Sequence, residues 1–147
     1  MESKFQNRRR ARQLIDFANI RIGEKGMPTD CDGLIEYHDK AYVLFELKYG
    51  AKELPLGQKL ALVRMCDDFA RIGKPAVFIV AEHDVDDPEV DVDAAACLVR
   101  NYYFDGKWCT PIKPVTLKQE IDSFIRFVDR RNSREQSHHD GQLDPRR

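Results

Sequence analysis

Six consecutive apolar residues, Ala76-Val77-Phe78-Ile79-Val80-Ala81, constrain the fold of this chain more than any other stretch. A strand with one solvated face alternates polar and apolar residues, so an unbroken run predicts a strand covered on both faces. The residues before it say how it is reached. From about Pro55, Leu56, Leu60, Val63, Cys66 and Phe69 recur at helical spacing, and Gly73 with Pro75 supplies a stop signal. Earlier still, Tyr42 to Lys48 is rich in aromatic and β-branched residues and has no glycine or proline, as a strand requires. Strand, helix and strand in that order predict a crossover that lays the apolar run beside Tyr42 to Lys48 in parallel. The fold class is α/β.

The other elements follow from local signals. Asp32 to Tyr37 forms a second apolar strand, joined to Tyr42 to Lys48 across His38 to Ala41, a connection short enough for an antiparallel hairpin. Arg8 to about Ile20 reads as a helix with Leu14, Ile15, Phe17 and Ala18 on one stripe, and Arg21 to Gly26 as a first strand. Ala96 to Phe104 and Lys107 to Thr110 flank Asp105-Gly106, a type I′ hairpin signal. Thr116 to Gln119 matches a capping box and opens a helix to about Arg131, with Ile121, Phe124, Ile125 and Val128 inward. The tail beyond Asn132 lacks an apolar face and reads as disordered. One domain over residues 1–131, with a basic arm at 1–12 and a tail at 132–147, is the expected organisation.

Charge is balanced in total and uneven in place. The net charge is −1, yet residues 1–12 hold Lys4, Arg8, Arg9, Arg10 and Arg12 against Glu2 alone. Residues 82–93 carry seven acids and no lysine or arginine. Such asymmetry leaves room for a basic surface that meets phosphates, although the arginine run also reads as a solvated arm. The acidic stretch lacks the glycine of a calcium-binding loop and reads as a solvated loop. No apolar run is long enough to span a bilayer, and the amino terminus lacks a signal peptide's apolar core. Cys31, Cys66, Cys97 and Cys109 are widely spaced, without zinc-ligand spacing, which fits free thiols in a reducing, cytoplasmic setting.

Side chains alternate along a strand, so Glu46 and Lys48 project together while Leu47 turns away. Antiparallel pairing can bring Asp32 beside them. Between Thr29 and Lys48, five acids (Asp30, Asp32, Glu36, Asp39, Glu46) oppose only Lys40 and Lys48. A phosphodiester would be repelled there unless a divalent cation lay between. Two carboxylates, the Leu47 carbonyl and waters are hard donors that suit Mg2+ or Mn2+. Lys48 can orient a water or neutralise charge at phosphorus, and Gln58, at the helix start, can hold a water or phosphate oxygen. The bland alternative is a surface ion pair contributing about 0.2–1 kcal/mol, with Asp32 a turn residue. The apolar character of the strand weighs against it.

An acid opening one strand, an E-x-K triplet on the next and a glutamine on the following helix together resemble the PD-(D/E)XK nuclease superfamily. The matching pieces are Pro28-Thr29-Asp30-Cys31-Asp32, Glu46-Leu47-Lys48 and Gly57-Gln58-Lys59. The resemblance spans roughly Arg8 to Ala81 and is closest to small phage-type and Holliday-junction-resolvase-like members. It implies a restriction-endonuclease-like αβββαβ core with a mixed central sheet flanked by helices, here with an added C-terminal hairpin and helix. It further implies metal-dependent hydrolysis of DNA, branched or single-stranded DNA among the substrates, and a homodimeric assembly. On this resemblance Asp32, Glu46, Lys48 and Gln58 are catalytic, and Asp32, Glu46 and the Leu47 carbonyl hold Mg2+ or Mn2+. Arg8, Arg9, Arg10 and Arg12 are the candidate nucleic-acid contacts. Two departures stand out. The family's acid directly follows proline, whereas here Asp30 and Asp32 both lie near Pro28; Asp32 is favoured because it immediately precedes the apolar strand. An acid on the first helix often completes the family's site, and only Asp16 and Glu24 are available for it. The alternative is a catalytically inactive nuclease-fold module that binds nucleic acid or a protein partner.

Overall fold

A computed structural model describes residues 14–24 and 26–140, with side chains to residue 137. The chain divides into two compact units, Met1–Asp30 and Cys31–Arg147.

The second unit runs β1 (Gly33–Tyr37), β2 (Ala41–Tyr49), α1 (Leu56–Arg71), β3 (Ala76–His83), a 3-10 turn (Ala94–Ala96), β4 (Leu98–Phe104), β5 (Lys107–Cys109) and α2 (Leu117–Asp140). The five strands form one mixed sheet in the order β1-β2-β3-β4-β5. β2 and β3 pair in parallel, from Tyr42 opposite Ala76 to Tyr49 opposite His83, and the other neighbours pair antiparallel. The α1 crossover between β2 and β3 is the one the sequence predicts.

β3 owes its apolar run to a helix on each side of the sheet. Val77, Ile79 and Ala81 join Val43 of β2 and Leu117, Phe124 and Val128 of α2 in one buried cluster. Ala76, Phe78 and Val80 join Leu44 of β2, Leu62 and Cys66 of α1, and Tyr103 in the other. The aromatic hairpin belongs to this packing, with the Trp108 ring 5.6 Å from those of Phe78 and Tyr103. α1 keeps the later part of the expected stripe and departs from it in the first turns. Gln58, Leu62 and Cys66 face inward, while Leu56 and Leu60 are exposed. Val63 and Phe69 keep their expected contact at the margin of the cluster. The inward line follows i, i+4, i+8 spacing and begins with a polar residue, which apolar periodicity cannot reveal.

Local turn chemistry acts as the sequence indicates. Asp105 and Gly106 both take positive φ, 50° and 79°, as a type I′ turn needs. The Thr116 hydroxyl accepts the Gln119 N–H at 3.2 Å and the Gln119 side-chain oxygen accepts the Thr116 N–H at 2.9 Å, a complete capping box. α2 does not stop near Arg131. It continues to Asp140, so residues 132–140 of the expected disordered tail are helical, and 141–147 lie outside the described residues. Arg131 pairs with Glu135 at 3.1 Å, and Ser133 and Ser137 donate to the carbonyls four residues back. A polar extension of an anchored helix needs no apolar face, since nucleation has already been met.

In the first unit, residues 14–20 are not helical. The Asp16 carboxylate accepts the Ala18 N–H at 2.8 Å and the Phe17 carbonyl accepts the Ile20 N–H at 2.9 Å, local bonds that compete with a helix. Among the described residues of Arg21 to Gly26, Ile22 and Gly26 form a bridge, where a strand was expected. The rest of the expected leading helix, with Arg8, Arg9, Arg10 and Arg12, lies outside the described residues.

Candidate functional site

The site grows from the point where β1 meets the end of β2. Gly33 opens β1 opposite Phe45, and the phenyl ring lies across it: a Cβ at Gly33 would sit 1.9 Å from a ring carbon. No residue with a side chain allows that approach. Continuing the register by one residue puts Asp32 opposite Glu46, on the same face of the sheet.

Asp32 leaves the ladder at this point. Its N–H donates to Glu46 Oε1 at 3.1 Å, and its Oδ2 accepts the Leu47 N–H at 2.7 Å. The carboxylate thus replaces a backbone acceptor at the end of β1. The N–H and C=O of a strand residue point to one edge, so the Leu47 carbonyl opens on the side where Asp32 sits. Lys48 Nζ lies 3.1 Å from Glu46 Oε2. The structure therefore brings Asp32, Glu46, Leu47 and Lys48 into one hydrogen-bonded group.

Glu46 is 1% exposed, unusual for a carboxylate. Burial raises its pKa, the charge of Asp32 raises it further, and the Lys48 amine and the Asp32 N–H act against both; the net shift is upward. The Lys48 side chain is 20% exposed, and Asp32 is exposed. Two carboxylates thus converge on a half-covered spot that holds one amine, which is one positive charge short of balance.

Gln58 comes to the same face. Leu44, Glu46 and Lys48 share one side of β2, and Leu44 packs beneath Leu62 and Cys66 of α1. α1 runs back from the end of β2, so its first turn, with buried Gln58, lies toward the strand end that carries Glu46 and Lys48. Of the two candidate acids, Asp32 shares a unit with Glu46, whereas Asp30, Asp16 and Glu24 belong to the first unit.

The donor set is all oxygen: two carboxylates and a backbone carbonyl, with room for water on the exposed Asp32 side. Those donors fit a hard divalent cation such as Mg2+ or Mn2+ and lack the thiolate or imidazole that zinc favours. Among the described residues no group of three or more His, Cys, Asp or Glu side chains is placed to hold one ion, so such a centre would rest on two carboxylates. Cys31, next to Asp32, donates its thiol to the Gly33 carbonyl at 3.1 Å, and burial raises its pKa. Burial pushes Cys66 up to about 12. Both remain protonated thiols and poor ligands.

Sequence reasoning passes over Arg100. This β4 side chain reaches Glu82 of β3 and the carbonyls of Gly50 and Lys52, in the loop between Lys48 and Gln58. An isolated arginine in a strand carries no signal of that reach. No described helix is long and apolar enough to cross a membrane. Comparison with protein-family models, curated proteins and solved structures finds no match for this chain.

Proposed function

We propose that this protein is a metal-dependent nuclease that hydrolyses phosphodiester bonds in DNA, built on a restriction-endonuclease-like core of the PD-(D/E)XK type. The observation that carries the reading is buried Glu46, hydrogen-bonded to Lys48 on one oxygen and to the Asp32 backbone on the other, with a second carboxylate beside it. A surface ion pair needs neither the burial nor the second acid. The β1-β2-α1-β3 portion, with Asp32, Glu46-Leu47-Lys48 and Gln58 in their observed places, supports the family reading.

In this reading Asp32, Glu46 and the Leu47 carbonyl hold Mg2+ or Mn2+. The bound ion would acidify a water and offset charge on the phosphate. Lys48 would direct Nζ toward the attacking water or the phosphate oxygen on which charge builds. Gln58 hydrogen-bonds a water or a phosphate oxygen, and the positive end of α1 favours the same anion. The rival reading, a nuclease-fold module without catalysis, draws support from Glu46 being satisfied by protein groups and from the acidic 82–93 stretch.

Incubating the full chain with plasmid, linear, single-stranded and branched DNA, in Mg2+ or Mn2+ against EDTA, separates the two. Cleavage that requires the ion and is lost in Asp32→Asn, Glu46→Ala and Lys48→Ala, each still folded, is the expected result. Cleavage surviving both Glu46→Ala and Lys48→Ala would refute the site, and an inert wild-type chain would leave the binding module.

A further inference from the structure

We infer that Arg100 is a positioning residue for this site, acting through the loop that joins Lys48 to Gln58; the inference rests on the nuclease reading above. Three donors of one guanidinium are engaged: Nε to Glu82 Oε2 at 3.0 Å, Nη1 to the Lys52 carbonyl at 2.8 Å and Nη2 to the Gly50 carbonyl at 2.7 Å. A rigid planar fork on two carbonyls of one loop fixes both its height and its direction.

The backbone is shaped to make that reach. Val80 pairs with Asn101 but Ala81 pairs with Val99, so Arg100 is the extra residue of a β-bulge. A bulge re-aims its side chain out of the regular alternation. Glu82, which orients the guanidinium, sits directly opposite Lys48 in the β2–β3 register. The clamp is thus tied to the neighbour of Lys48 on one side and to the loop after it on the other.

Folding alone does not require this arrangement. Lys52 is exposed, and water can satisfy a carbonyl at the surface. What the fork adds is fixed geometry between two residues that must act on the same phosphate. The other restraints on the loop are the Gly50 N–H to the His83 carbonyl at 2.8 Å, the Lys52 N–H to the Tyr49 carbonyl at 3.4 Å, and Leu54 packing on the core beneath α1, none of which fixes the Lys52 carbonyl. Lysine has a single head group and cannot replace three bonds aimed at three acceptors.

The test compares the wild-type full chain with Arg100→Ala and Arg100→Lys. Steady-state cleavage of linear DNA in Mn2+, well below the melting temperature of each variant, is measured alongside amide exchange over residues 50–58. Arg100→Ala should lower kcat by on the order of 10²-fold with KM little changed, as a misplaced group does. Millimolar guanidinium should restore part of that loss, Arg100→Lys should fall between, and exchange should quicken over 50–58 while β3 stays protected. Wild-type kcat in Arg100→Ala, or a loss that tracks only the unfolded fraction and ignores guanidinium, overturns the inference and leaves the nuclease standing. A wild-type chain without cleavage overturns both.

Discussion

Glu46→Gln and Lys48→Met should move stability in different directions, because one removes a buried charge and the other strands it. In Glu46→Gln the side-chain oxygen can still accept the Asp32 N–H, now 3.1 Å away. The substitution forfeits the ionic part of the Lys48 contact and relieves both the burial of charge and the repulsion from Asp32 that raise the Glu46 pKa. The freed lysine, 20% exposed, can turn to water. Replacing a buried ion pair by uncharged groups is often neutral or stabilising by about 1–4 kcal/mol, and here the lower end applies, from no change to about +1 kcal/mol. Lys48→Met leaves Glu46 charged and buried without its cation, at a cost of about 1–3 kcal/mol. Each kcal/mol corresponds to roughly 2–4 °C in melting temperature for a chain this long. Urea unfolding followed by two probes, with midpoints compared at constant m, reads the difference. The pH dependence supplies a second arm. A carboxyl whose folded pKa lies above its unfolded value favours folding below the ordinary glutamate range and loses that contribution as pH rises through the elevated value. Wild-type stability relative to Glu46→Gln should therefore decline with rising pH across that window. If Glu46→Gln costs as much as Lys48→Met, the pair is a structural salt bridge and the argument from a strained, functional carboxylate fails.

Two further outcomes test the construction of the site. Gly33→Ala drives a methyl group into the Phe45 ring, and because Asp32 is set by the same approach, it should cost about 1–3 kcal/mol and reduce cleavage together; a stable, fully active variant would show that the close approach is dispensable. Removing residues 1–12, with their excess of four positive charges, should weaken DNA binding and flatten its dependence on log salt concentration; an unchanged slope in a filter or anisotropy titration would remove the arginine run from the interface.

What could be read from the sequence is what local rules decide. The β3 run, the Asp105-Gly106 turn and the Thr116–Gln119 box each carry their own signal within a few residues, and the structure forms all three. The grouping of Asp32, Glu46 and Lys48 was legible for the same reason: alternation sets Glu46 and Lys48 on one side of β2, and a short hairpin can bring Asp32 opposite Glu46. The inward face of α1 was legible in part: Val63, Cys66 and Phe69 pack on the core as expected, but tertiary packing turns Gln58 and Leu62 inward in place of Leu56 and Leu60. Residues 14–20 have helical periodicity, yet the Asp16 side chain takes the Ala18 N–H in a local turn. The bulge at Arg100 is a register defect between two strands, which neither strand encodes alone.

Four departures from local rules lie close together. A glycine replaces a strand former at Gly33, a carboxylate is buried at Glu46, an amide takes a core-facing position at Gln58, and a bulge interrupts β4 at Arg100. Register places Gly33 beside Phe45, and the bulge faces Val80 and Ala81, the β3 partners of Glu46 and Leu47. Each feature departs from what its own element would favour, and each is held there by its neighbours. Their convergence on the end of β2 and β3 is what a site built at the expense of the scaffold looks like. It favours chemistry at Glu46 over a chance ion pair, since a chance pair needs no bulge, no glycine and no buried glutamine around it.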